Sequence, residues 1–102
     1  MSKTVSEILF IQDDARRFMS RLDPKVRSAV MQRTYDQVVS ESNGLNMYLI
    51  IREKTKECVT LSIASSAYPN CHPRVKNDIR FFNSNEGWIT ADIPMEENAH
   101  VV

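Results

Sequence analysis

The sequence predicts an α+β fold, in which an N-terminal two-helix hairpin packs on an antiparallel sheet of about four strands in the order ααββββ. Three observations lead there. Apolar residues recur at three- and four-residue spacing over the first forty or so positions, the signature of helices with one buried face. From Leu45 onward the period changes to two, so alternate side chains fall on opposite faces of extended segments. Between these regions, Leu22-Asp23-Pro24 and Asn43-Gly44 are strong helix punctuation.

Helix one is expected to start at Thr4-Val5-Ser6-Glu7, a capping-box spacing in which threonine and glutamate satisfy first-turn amides. Val5, Ile8, Leu9, Ile11, Ala15, Phe18, Met19 and Leu22 form its apolar stripe, and it should end near Arg21. Asp23 is a favoured N-cap and Pro24 a favoured first helical residue, so helix two begins at Pro24 and runs to about Ser42. Asn43-Gly44 then supplies a left-handed exit.

Strand one, Leu45 to Arg52, points Leu45, Met47, Leu49 and Ile51 to one side; strand two, Glu57 to Ala64, does the same with Val59, Leu61 and Ile63. The polar run Glu53-Lys54-Thr55-Lys56 reads as their turn. A register opposing Ile51 to Val59, Leu49 to Leu61 and Met47 to Ile63 puts every apolar side chain on one face. Ser65 to Lys76 reads as a long loop on its serines and prolines. Asp78 to Phe82 and Trp88 to Ile93 should form a second hairpin about the turn Asn83 to Gly87, with Phe81 opposite Ile89, Ile79 opposite Ala91 and Phe82 opposite Trp88. Pro94 ends the last strand, and residues 94–102 read as a flexible tail.

One domain accommodates residues 1–102, and a chain this long can bury a core without staples. Thirteen basic and thirteen acidic side chains cancel, so no overall field recruits nucleic acid or anionic membrane and any such contact must be local. The N-terminus turns polar at Gln12, Asp13 and Asp14, too early for a signal peptide or membrane span, which points to a cytoplasmic protein with Cys58 and Cys71 reduced.

No motif of established chemistry stands out. Cys71 and His72 adjoin in the long loop, but neighbours in sequence are poorly placed to act on each other, and Cys58, Cys71, His72 and His100 lack the paired short spacings of structural zinc sites. The expectation is therefore a non-enzymatic protein with no catalytic residues, metal or cofactor. Two surfaces remain. If the helices cover the face bearing Leu49, Leu61, Ile79 and Phe81, then Tyr48, Ile50, Arg52, Arg80, Phe82 and Trp88 project from the outer face, and aromatics with arginine are the residues that anchor protein interfaces. Arg16, Arg17, Arg21, Lys25 and Arg27 concentrate positive charge at the helix junction, interspersed with Asp13, Asp14 and Asp23.

Ala15-Arg16-Arg17-Phe18 followed by Leu22-Asp23-Pro24-Lys25-Val26-Arg27 resembles the helical hairpin of the small ribonuclease toxins of toxin and antitoxin modules, over about the first third of the chain. That family begins with a strand where the capping box here predicts helix, and its basic catalytic cluster is not found on the later strands, so the chain is not assigned to it. Size, neutrality and the lack of site chemistry instead suggest a module that masks a partner protein, such as an inhibitor, immunity protein or accessory regulator of bacterial or phage type. A nucleic-acid-binding or ribonuclease-toxin-like protein using the basic junction, and a homodimeric structural protein, are the alternatives. Membrane is not expected as a partner.

Overall fold

The computed structural model describes residues 4–41, 45–66 and 74–93. The order of elements is α1 (Val5–Ile8), β1 (Leu9–Ile11), α2 (Asp13–Met19), α3 (Pro24–Glu41), β2 (Asn46–Lys54), β3 (Cys58–Ser66), β4 (Arg74–Ser84) and β5 (Gly87–Ile89). The five strands form one mixed sheet in sequential order, β1 parallel to β2 and every other pair antiparallel. The α+β class and the helical pair lying before a meander are as the sequence predicts; the purely four-stranded antiparallel sheet is corrected to five strands with a parallel edge.

The additional strand interrupts the first helix. Glu7 does reach back to Thr4, accepting its backbone N–H at 3.2 Å and its hydroxyl at 2.9 Å, but the capping box opens a single turn. The next residues, Ile8-Leu9-Phe10-Ile11, are an unbroken apolar run rather than a helical stripe. They serve better as a strand, because the edge of β2 otherwise leaves its amides and carbonyls without partners. Leu9, Phe10 and Ile11 pair with Met47, Tyr48 and Leu49. Gln12 extends the pairing: its amide donates to the Leu49 carbonyl at 2.9 Å, and its side-chain oxygen accepts the Ile51 amide at 3.1 Å.

The start of α3 follows the punctuation, with the Asp23 carboxylate accepting the Lys25 amide at 3.0 Å and Pro24 at the first helical position. Val30, Thr34 and Val38 form its buried ridge, and the Thr34 hydroxyl is satisfied by the Val30 carbonyl at 2.8 Å. The 43–44 exit, the central part of the long loop (67–73) and the tail lie outside the described residues.

The core lies between the helices and the sheet face that carries Met47, Leu49, Val59, Leu61, Ile63, Ile79 and Phe81, closed by Ala15, Phe18, Met19 and Leu22 from α2 and its exit. In the β2–β3 hairpin Leu49 opposes Ile63 and Ile51 opposes Leu61, a shift of two residues from the expected register. An even shift leaves every side chain on its expected face. The strands continue to Lys54, an irregularity between Ile51 and Glu53 absorbs the extra residue, and Thr55 closes the turn by hydrogen-bonding with Cys58.

The β4–β5 hairpin departs by one residue, and the consequence is larger. Ser84 pairs with Gly87, so Asn83 opposes Trp88 and Phe82 opposes Ile89. The expected pairs Phe81–Ile89, Ile79–Ala91 and Phe82–Trp88 do not form. A tight turn is responsible: the Ser84 hydroxyl donates to the Gly87 carbonyl at 2.7 Å and accepts the Glu86 amide at 3.2 Å, while Gly87 takes a φ of +102°. Trp88 therefore turns toward the helices, where its ring meets Phe18 edge-on at 5.2 Å, and Phe18 meets Phe81 at 5.3 Å. The last strand is also shorter than expected, ending at Ile89 because the Asp92 carboxylate, not a further β5 residue, accepts the Arg80 amide at 2.7 Å. Ile93 then re-enters the core.

Two stability changes follow. Phe81→Ala, which empties a fully buried site, should destabilise the fold by roughly 3–5 kcal/mol in urea unfolding. Gly87→Ala has open space around the new methyl but is forced into left-handed backbone, and should cost about 1–2 kcal/mol in the same assay.

Candidate functional site

The outer face of the sheet is built by alternation from all five strands. Its middle is made of small side chains, Thr60, Ser62 and Ala64 of β3, all of them buried. Ser62 donates its hydroxyl to Asp78 on β4 at 2.6 Å, and the same carboxylate receives the Arg52 guanidinium of β2 at 3.0 and 3.1 Å. One carboxylate thus ties three strands together. Arg80 makes the second ion pair, to Asp92 at 3.5 Å, on top of its own amide bond to that carboxylate.

Apolar groups emerge on either side of this band. On one side Phe10, 47% exposed, stacks on half-buried Tyr48 at 5.6 Å, next to Ile50. On the other, Phe82 and Ile89 face each other across β4 and β5 at 48% and 53% exposure. Across the sheet the two clusters are about three strand spacings apart, and Phe82 lies seven residues along β4 from Val75, the position level with Tyr48, so they sit roughly 25 Å from each other.

Of the six residues expected on this face, Tyr48, Ile50, Arg52, Arg80 and Phe82 are placed there and Trp88 is not. Phe10 and Ile89 join them. Phe10 falls within the helix the sequence predicts, and the expected hairpin register, one residue from the observed one, turns Ile89 inward. The unbroken apolar run Ile8-Leu9-Phe10-Ile11 is the available signal for the first.

The basic residues of the helix junction do not form one surface. Arg17 pairs with Asp14 one turn earlier on α2. Arg27 is turned inward, donating to the carbonyls of Met19 and Leu22 at 3.1 Å each, so it caps the exit of α2. Lys25 is exposed in the first turn of α3. Arg16 borders two adjoining cavities of about 490 and 310 Å³ beside Ile11 and Tyr35, whereas Arg21 faces a different cavity at the hairpin end of the sheet.

That third cavity, about 600 Å³, is lined by Phe18, Arg21, Lys54, Thr55, Lys56, Val59, Asn83 and Trp88. It lies on the helix side of the sheet, between α2 and the two hairpin turns. Cys58 has a free thiol, and Cys71, His72 and His100 lie outside the described residues. Among the described residues no group of three or more histidine, cysteine or acidic side chains could hold a metal ion, and no helix is long and apolar enough to cross a membrane. No known family model matches the chain, and no curated protein or solved structure does so either.

The Asp92 staple is pH-dependent. The Arg80 amide holds the Asp92 carboxyl below its ordinary range, with the guanidinium adding to the effect and burial opposing it. A carboxyl whose folded-state pKa is depressed contributes stability above its unfolded pKa and loses it as the pH falls through the folded value. Asp92→Asn should therefore lower stability by up to about 1 kcal/mol at neutral pH, after allowing for solvent screening, and the difference from wild type should shrink only as the pH falls below the ordinary aspartate range and through the depressed folded-state value, as measured by urea unfolding across that range.

Proposed function

We propose that this protein acts without catalysis, by binding another protein across the outer face of the sheet and masking part of it. The observation that carries the reading is the distribution of charge and apolar surface on that face. Arg52 and Arg80 are each neutralised by an aspartate, so neither is free to bind phosphate, while Phe10 with Tyr48 and Phe82 with Ile89 offer two apolar anchors. Exposed apolar clusters around a satisfied polar band suit the pattern of a protein interface, in which a few large side chains provide most of the binding energy. A nucleic-acid interface would need the opposite arrangement, with cations left without partners along the contact.

An inhibitor, immunity protein or accessory regulator of bacterial or phage type is the functional class that fits a small, charge-neutral chain with such a face. A second copy of the chain is the simplest rival occupant, and it would make the protein a structural homodimer.

Phe82→Asp and Ile89→Asp test the reading, since both side chains are half exposed and their replacement leaves the core intact. In affinity capture from lysate of the source cells, treated with nuclease, the wild type should retain one stoichiometric protein, and the variants should lose it with affinity reduced by at least about tenfold. Retention by both variants would show that the partner binds elsewhere. If sedimentation shows a wild-type dimer that the variants lose, the occupant is a second copy. Trp88→Asp, by contrast, would place a carboxylate against Phe18 and probe the fold instead of the interface.

A further inference from the structure

The cavity at the hairpin end differs from the outer face in one decisive respect: its cations have no ion-pair partners among the described residues. Arg21, Lys54 and Lys56 converge on it from the exit of α2, the end of β2 and the β2–β3 turn; among the described residues no aspartate or glutamate lines it, and none of the three makes an ion pair. Like charges brought to one concave site raise the local potential and favour an anion there. The remaining wall combines two aromatic rings with Thr55, Val59 and Asn83. Trp88 and Phe18 line the same space, with Trp88 only partly covered, and the Asn83 side chain donates its N–H to the Lys56 carbonyl at 3.1 Å, leaving its own carbonyl oxygen to accept from a ligand.

A volume of about 600 Å³ falls within the range of small-molecule sites. A ligand that matches both halves of the wall must carry a flat ring and a multiply charged anion within one small molecule. We propose that this cavity binds a nucleoside phosphate, its base stacked against Trp88 and its phosphate held by Arg21, Lys54 and Lys56. Stacking on an aromatic ring is available to every base, and lysine and arginine hold phosphate as charge-assisted donors. The ligand is either a free nucleotide or one unit of a single strand. The site faces the helix side of the sheet, so it is independent of the protein-binding face and stands or falls separately from it.

Trp88 is the sole tryptophan of the chain, so its fluorescence reports directly on this cavity. The folded full-length protein is titrated with adenosine monophosphate, with inorganic phosphate and with a short single-stranded oligoadenylate. Adenosine monophosphate should quench Trp88 saturably, and added salt should weaken the binding. Inorganic phosphate should compete at least about tenfold more weakly, because it lacks the ring. Lys54→Glu with Lys56→Glu, both exposed, one at the end of β2 and one in the turn that follows, should reduce nucleotide affinity by at least about tenfold while the circular dichroism spectrum is unchanged. Tighter binding of the oligonucleotide than of the mononucleotide assigns the site to a strand; equal binding assigns it to the free nucleotide. The proposal is overturned if neither nucleotide ligand quenches Trp88 up to millimolar concentration, if inorganic phosphate binds as tightly as the nucleotide, or if the folded double variant binds as the wild type does.

Discussion

The alternation of side chains along the strands is the constraint on which this protein depends, because the sheet has one face for the core and one for solvent. Phe18 shows how closely the helical layer is keyed to it. Its ring touches Phe81 on β4 and Trp88 on β5, and it can do so only because each of those residues occupies an inward position. Shifting β5 by one residue would send Trp88 to solvent and bring Ile89 inward, removing one of the two rings against Phe18. The turn that prevents this slip uses three adjacent features: the Ser84 hydroxyl, the two residues Asn85 and Glu86, and the left-handed backbone of Gly87.

Electrostatics divide the surface along the same boundary. On the outer face the arginines are met by carboxylates from elsewhere in the sheet, Asp78 of β4 reaching across β3 to Arg52 of β2, and Asp92 of the segment after β5 reaching Arg80. On the helix side at the hairpin end, the end of β2 and the β2–β3 turn place Lys54 and Lys56 beside Arg21, while the lining includes no carboxylate among the described residues. A chain with formal net charge of zero can therefore have one neutralised face and one locally cationic cavity. Net charge describes neither surface; the pairing of individual side chains does.

Much of the fold was legible in the sequence where the evidence was redundant. Asp23 with Pro24 marked the start of α3 twice over, and the apolar positions of β2 and β3 were recovered on their true face even though the register was two residues off, since an even shift preserves parity. The errors arose where a single signal stood alone. Thr4 and Glu7 do form a reciprocal cap, but a cap specifies how a helix begins and not how far it continues, and the open edge of β2 recruits Leu9 to Ile11. The β4–β5 turn was read from composition as five residues, whereas hydrogen bonding at Ser84 makes it tighter and reverses the direction of Trp88. Five of the six residues expected on the outer face are there; the neutralising roles of Asp78 and Asp92 could not be read from spacing, because they depend on contacts between strands.

The last strand, only three residues long, thus has the widest consequences. In the three residues Gly87–Ile89, Trp88 turns inward to line the cationic cavity and close the core against Phe18, while Ile89 turns outward to complete the apolar pair with Phe82. Alternation along one strand is enough to feed two surfaces of opposite character, and it links them mechanically, since any change that shifts the turn moves both residues together. A change confined to one side chain does not have that effect. An acidic group at Phe82 alters the outer face and leaves the cavity walls in place, whereas an acidic group at Lys54 or Lys56 alters the cavity and leaves the Arg52–Asp78 and Arg80–Asp92 pairs intact. The two surfaces share a scaffold without sharing a contact residue, which is why binding at each can be lost separately while the fold that supports both remains.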